Sequence, residues 1–136
     1  MISSPIIRTY EKSDKELVLD LFRRNTPKYF AIDEESDFID YLENERELYY
    51  VLLHKSRVVG CGGINFNFNQ ALARISWDII HPEYQNKNFG TQLLNYRIDK
   101  INSFSHIEKI MVRTSQFAFP FYEKNGFRLI EIHKNY

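Results

Sequence analysis

Ile79-Ile80-His81-Pro82-Glu83-Tyr84-Gln85-Asn86-Lys87-Asn88-Phe89-Gly90-Thr91-Gln92-Leu93-Leu94 reads as the end of an apolar strand, a polar turn and the first turns of a helix. Such a junction aims a row of unpaired backbone N–H groups at one point, and the positive end of the helix dipole adds to them. That is a ready site for a phosphate. The expectation is a phosphate-bearing ligand here, with the rest of the chain bringing a second reactant to it.

On the N-terminal side, Ala71, Ala73, Ile75, Trp77 and Ile79 alternate with Leu72, Arg74, Ser76, Asp78 and Ile80. Period two predicts a strand with one apolar and one mixed face. On the C-terminal side, Phe89, Leu93, Leu94, Ile98 and Ile101 have helical spacing, running to about Ser103. Residues 109–113 read as a further strand, 118–125 as a short helix stopped by Gly126, and 127–132 as a last strand. Before the stretch, Pro5–Arg8 is a first strand. Ser13-Asp14-Lys15-Glu16 has capping-box spacing ahead of a helical Leu17, Val18, Leu21 and Phe22. Asp33–Glu35 opens a second helix, and 49–53 and 58–64 form a hairpin about Lys55-Ser56. Gly60, Gly62 and Gly63 weaken the returning strand but permit a bulge or a close approach.

The element order predicts an α/β (α+β) fold. Its mixed, mostly antiparallel sheet would have about six strands, with helices on both faces. The chain of 136 residues suits a single domain, 1–136. Lys+Arg and Asp+Glu both count 18, so no net charge draws it to nucleic acid or an acidic membrane. Cys61 is the only cysteine, which rules out a disulfide within the chain and fits a cytoplasmic setting. No apolar run is long enough to span a bilayer. The four histidines lack metal-ligand spacing, so no metal is expected. Cys61, in an apolar strand, reads as a buried inert thiol.

Two motifs carry a resemblance. Gln85-Asn86-Lys87-Asn88-Phe89-Gly90 is similar to the Gln/Arg-x-x-Gly-x-Gly/Ala that begins the long helix of the GNAT superfamily of N-acetyltransferases. Asn88 stands where the family has its first glycine, and Asn is the other residue that tolerates positive φ. Ala118-Phe119-Pro120-Phe121-Tyr122-Glu123-Lys124-Asn125-Gly126-Phe127 resembles the family's Ala-x-x-x-Tyr-Glu-Lys-x-Gly-Phe. Ser115 stands where many members have Asn. No seventh strand is evident before Tyr136, which would leave an open edge and a possible homodimer contact.

The resemblance implies acetyl-CoA as cofactor. Its pyrophosphate would lie on backbone N–H groups of Gln85, Asn86, Lys87, Asn88, Phe89 and Gly90, with Thr91 at the helix entry. Its amide-rich arm would pair with Ile79, Ile80 and His81 and meet Ser115. A bulge near Ile79 would part that strand from its neighbour. Tyr122 is the implied acid for the leaving thiolate. A phenol pKa of about 10 lies above a thiol's roughly 8.5, so a hydrogen bond to the sulfur is an alternative role to full transfer. Simple ring packing is the plain alternative for Tyr122. Some members use a Glu on the fourth strand, but Arg74 falls at that position.

Asp78, read as sharing a face with Arg74, is the nearest candidate base. Glu83, Glu34 and His81 are further choices, and an ordinary strand-end role for Asp78 stays equally open. The acids at 33, 34, 35, 37 and 40 would attract a cationic amine, or simply solvate a helix face. The function implied is transfer of acetyl to a primary amine, on a small molecule or a protein. The alternative is a CoA-binding module of this fold with little or no catalysis.

Overall fold

The computed structural model describes residues 4–114 and 118–127. Among them the chain runs β1 (Ile6–Thr9), α1 (Lys15–Arg24), α2 (Glu35–Asp40), β2 (Leu48–His54) and β3 (Arg57–Asn67). It continues through β4 (Leu72–Ile80), α3 (Phe89–Asn102), β5 (Lys109–Val112) and α4 (Phe119–Lys124). The strands form one sheet in the order β1-β2-β3-β4-β5. The first four pair antiparallel, and β5 lies parallel to β4. A parallel neighbour needs a crossover connection, and α3 supplies it.

The fold class is therefore the one expected, with five strands among the described residues rather than about six. The expected last strand lies outside the described residues except for Phe127, as does the end of the chain that carried the dimer expectation.

The sheet is packed on both faces. On one, Val18, Leu21 and Phe22 of α1 and Phe38 of α2 meet Val51, Cys61 and Ile79. On the other, Leu93, Leu94 and Ile101 of α3 and Tyr122 of α4 meet Leu52, Ile64, Ala73 and Ile75. Both faces use the aromatic richness of the sequence, and the first has a cluster of contacting rings around Trp77. Phe38 lies 5.0 Å from Trp77 and 5.7 Å from Phe22, ring centre to ring centre. Such pairs add about 0.5–1.5 kcal/mol each beyond their burial. The β2–β3 turn has Lys55 at φ 52° and Ser56 at φ 68°, the left-handed pair that a two-residue hairpin requires.

The entry to α1 is not built as the Ser13–Glu16 spacing predicts. Lys12–Asp14 forms a 3-10 turn, and Asp14 accepts the Glu11 amide at 2.9 Å. Buried Asp14 also takes both arms of the Arg8 guanidinium, at 2.8 and 2.9 Å. This ties β1 to α1 as well as capping the turn. The two oxygens of a carboxylate serve all three donors, which the single oxygen of a serine hydroxyl cannot, so Asp14 wins the position.

The Arg8 hydrogen bond holds the Asp14 carboxyl below its ordinary range despite its burial. A depressed folded pKa adds stability that is complete above the unfolded carboxylate range and disappears as pH falls through the folded value. Asp14→Ala is expected to cost roughly 1.5–3 kcal/mol at pH 7, with the deficit shrinking toward about pH 2 as parent Asp14 protonates. Urea unfolding at both pH values measures this. A deficit of the same size at both would refute it.

Candidate active site

The decisive local feature is in β4. Cys61 pairs with Ile79, but Gly63 pairs with Ser76, so β4 spends one more residue than β3 over that step. The result is a bulge with Trp77 at φ 48°. It falls two residues before the expected place near Ile79. The Tyr49 hydroxyl donates to the Trp77 carbonyl at 2.8 Å and pins it. An extra residue reverses the alternation beyond it. Ala73 and Ile75 face α3, whereas Trp77 and Ile79 face α1 and α2. Asp78 consequently turns toward α3 and α4. Arg74, which alternates with Ala73 and Ile75, points to the other face. The single face expected for Arg74 and Asp78 is thus corrected.

The bulge also ends the pairing with β5. Leu72–Ile75 pair with Lys109–Val112, and from Ser76 onward β4 has no partner on that side among the described residues. A cleft of about 1870 Å³ opens along this edge. Single small-molecule pockets measure roughly 300–1,000 Å³, so there is room for two reactants.

At one end of the cleft is the turn into α3. Asn86 (φ 65°) and Asn88 (φ 69°) are both left-handed, and Asn88 directly precedes the first helical residue. Alternating left-handed residues turn successive amides inward, which with the free N–H groups of a helix start makes an anion-binding concavity. Gln85, Asn86, Asn88, Gly90 and Thr91 line the cleft. The Gln85 side chain is taken: its amide donates to Asn25 and to the Ile80 carbonyl, both at 3.2 Å, locking the loop to the end of α1.

Ile79 and Ile80 also line the cleft. Four other expected residues lie away from it. His81 is buried, its backbone N–H donates to the Val59 carbonyl at 2.8 Å, and its Nδ1 accepts the Glu83 amide at 3.1 Å. Burial, helped by Arg24 and Arg57, holds its imidazole below the usual value. Phe89 is buried against His54 and Tyr84. Lys87 and Glu83 border a separate depression beside Arg57. Ser115 lies outside the described residues.

Further along, β4, α3 and α4 bring three polar groups together. Tyr122 donates its hydroxyl to Asp78 Oδ2 at 2.5 Å. Asp78 Oδ1 is ion-paired with Arg97 of α3, which has no exposure at all. Burial first, and then the Asp78 charge, pushes the Tyr122 phenol well above its ordinary value. Gly62 makes the space: a Cβ there would overlap Asp78 Oδ1 and lie 2.7 Å from Arg97 Nη1.

Sequence reasoning missed Arg97. The signal was its place in the apolar stripe of α3, four residues after Leu93 and four before Ile101. A charge at that position must be buried and paired.

The acidic cluster divides. Glu35 pairs with Arg23 at 2.8 Å, and Asp40 accepts Asn44 at 2.7 Å. Asp33, Glu34 and Asp37 line the mouth of the cleft, as does Arg74. Burial pushes the Cys61 thiol up to about 12, which makes it inert. Among the described residues, no group of His, Cys, Asp and Glu side chains is placed to hold a metal, and no helix is long and apolar enough to cross a membrane.

Gly62→Ala is expected to cost about 1–3 kcal/mol, the usual penalty for an overfilled site. Thermal or urea unfolding checks it. An unfolding midpoint equal to the parent's would show that the array does not need this space.

Known proteins share this architecture. A curated amino-acid acetyltransferase of Pasteurella multocida is 28% identical over 132 residues, 97% of this chain. The chain spans only 29% of that protein's length. Among solved structures, the N-acetylglutamate synthase of Neisseria gonorrhoeae, complexed with coenzyme A and N-acetyl-glutamate, aligns with a TM-score of 0.73 at 16% identity. The alignment covers 96% of this chain and 30% of that one. The PaiA N-acetyltransferase of Thermoplasma acidophilum, in complex with coenzyme A, aligns at 0.74 and 18% identity, over 97% and 94% of the two chains. At these identities the structural likeness speaks for the fold. The model of the acetyltransferase (GNAT) family matches residues 15–127, and the chain belongs to that family.

Proposed function

We propose that residues 1–136 act as one catalytic unit that moves an acetyl group from acetyl-CoA to the amine of an amino acid. The observation carrying this is the arrangement along the unpaired edge of β4: an anion-binding helix start at one end and the Tyr122–Asp78 pair further along. Solved relatives hold coenzyme A on the same fold.

The residues present fit such a ligand. The left-handed backbone at Asn86 and Asn88, with the first amides of α3, suits a pyrophosphate. The unpaired edge of β4 offers backbone groups to an extended, amide-bearing arm. When bound, acetyl-CoA supplies an acetyl group activated as a thioester. Tyr122 lines the cleft, with its hydroxyl on Asp78. A phenol held well above 10 does not surrender its proton near neutral pH, so its service to the leaving sulfur is a hydrogen bond. Asp78 has both oxygens engaged and anchors Tyr122. The acceptor's proton is then left to the acids at the cleft mouth, Asp33, Glu34 and Asp37, directly or through water.

The acceptor class follows from charge and from the curated relatives' names. The acids at the mouth attract an ammonium, and exposed Arg74 offers a planar fork for a carboxylate. An amino acid carries both groups.

The test is thiol release from acetyl-CoA across a panel of amino acids and simple amines. Turnover should concentrate on amino acids. Arg74→Gln should raise KM for the amino acid about tenfold, the loss of roughly 1.4 kcal/mol of uniform binding, with KM for acetyl-CoA unchanged. Tyr122→Phe should lower kcat by 10-fold to about 100-fold, the lower range for a positioned acid or donor. CoA binding without release for any amine would favour a binding module. Absence of CoA binding in calorimetry would overturn the reading.

A further inference from the structure

We propose that Arg97 is a positioning residue for the transfer step: through Asp78 it fixes the place and the hydrogen-bond direction of the Tyr122 hydroxyl. The proposal rests on the reading of Tyr122 given above.

Arg97 is itself held. Its Nε donates to the Leu93 carbonyl and its Nη1 to the Gly63 carbonyl, each at 3.2 Å. Helix α3 and strand β3 thus set the guanidinium in place, and Nη2 is ion-paired with Asp78 Oδ1. The second oxygen of Asp78 takes the Tyr122 hydrogen at 2.5 Å. A chain of contacts therefore runs from the sheet through the Arg97–Asp78 pair to the hydroxyl of Tyr122, a residue that lines the cleft.

Packing alone does not account for an arginine here. The neighbouring stripe positions are filled by Leu93, Leu94 and Ile101. An apolar residue opposite an apolar β4 residue would avoid the cost of burying the Arg97 charge, and buried ion pairs are often no more stable than such a replacement. What the pair adds is direction. A phenol has one hydrogen to donate. Here that hydrogen points to Asp78 Oδ2, and the oxygen's lone pairs are turned elsewhere. Negative charge developing on a sulfur in the cleft competes for the hydrogen. Arg97 already balances the Asp78 charge, so the carboxylate holds the hydrogen less firmly than a bare one would, and the phenol can redirect it. Without Arg97 the charge of the carboxylate is no longer balanced, it grips the phenol, and Tyr122 is no longer poised.

A double-mutant cycle tests this, using acetyl-CoA and the best amine of the panel. The single variants are Tyr122→Phe, Arg97→Met and Arg97→Lys; each Arg97 change is also made in the Tyr122→Phe background. Arg97→Lys keeps charge and most of the volume, and Asp78→Asn serves as a further probe should Arg97→Met not fold. The expected result is a kcat at least tenfold lower for either Arg97 variant, with the CoA dissociation constant within threefold of the parent. In the Tyr122→Phe background the same Arg97 change should lower kcat less than twofold, because groups acting as a unit are not additive.

An Arg97 effect that persists in full without the Tyr122 hydroxyl would overturn the proposal and leave Arg97 a structural residue. So would Arg97 variants with parent kcat. A Tyr122→Phe variant with parent kcat would instead overturn the underlying reading of Tyr122.

Discussion

A guanidinium with no solvent exposure must have an anion beside it, and in this protein that constraint organises the centre of the molecule. Arg97 can sit in the α3 stripe only because Asp78 reaches it. Asp78 can reach it only because β4 bulges at Trp77 and turns the carboxylate to the α3 side. The bulge in turn leaves no room for a side chain at Gly62. Charge pairing, backbone irregularity and a missing Cβ are three aspects of one arrangement. Removing one partner of a buried pair is far more costly than never having had it, so the arrangement stands or falls together.

The same bulge makes the cleft. A regular β4 would continue its pairing with β5 past Ile75 and close the sheet. Instead the two strands part at Ser76, and the edge left unpaired among the described residues runs toward the left-handed turn at Asn86 and Asn88. The Tyr49 bond to the Trp77 carbonyl and the packing of Phe38 against the Trp77 ring hold this irregular segment from the opposite face. The cost of a tryptophan in the left-handed region is offset by those contacts, as backbone strain at functional sites generally is.

How much of this was legible follows from the period of each element. The hairpin turn at Lys55-Ser56, the α3 stripe and the stop at Gly126 are local features, and they could be read from spacing alone. Asn88 was legible as a residue suited to positive φ. The bulge was legible in kind but not in place, because an extra residue leaves the composition of a strand unchanged and alters only which face each residue takes. Assigning Asp78 and Arg74 to one face was the direct consequence. Arg97 was visible as a charge in an apolar stripe, but its partner lies on a different element. Sequence spacing does not report which acid comes within reach, nor that Gly62 makes the room.

On the proposed function, the β4 edge left unpaired among the described residues and the turn into α3 are one binding surface for coenzyme A. Backbone amide NMR during titration with coenzyme A tests it most directly. Resonances of Ser76 to Ile80 and of Asn86 to Thr91 should shift together and saturate at one ligand per chain, while those of Ile6 to Thr9 in β1, on the far side of the sheet, stay in place. Shifts confined to other segments, or none at saturating ligand, would contradict the account.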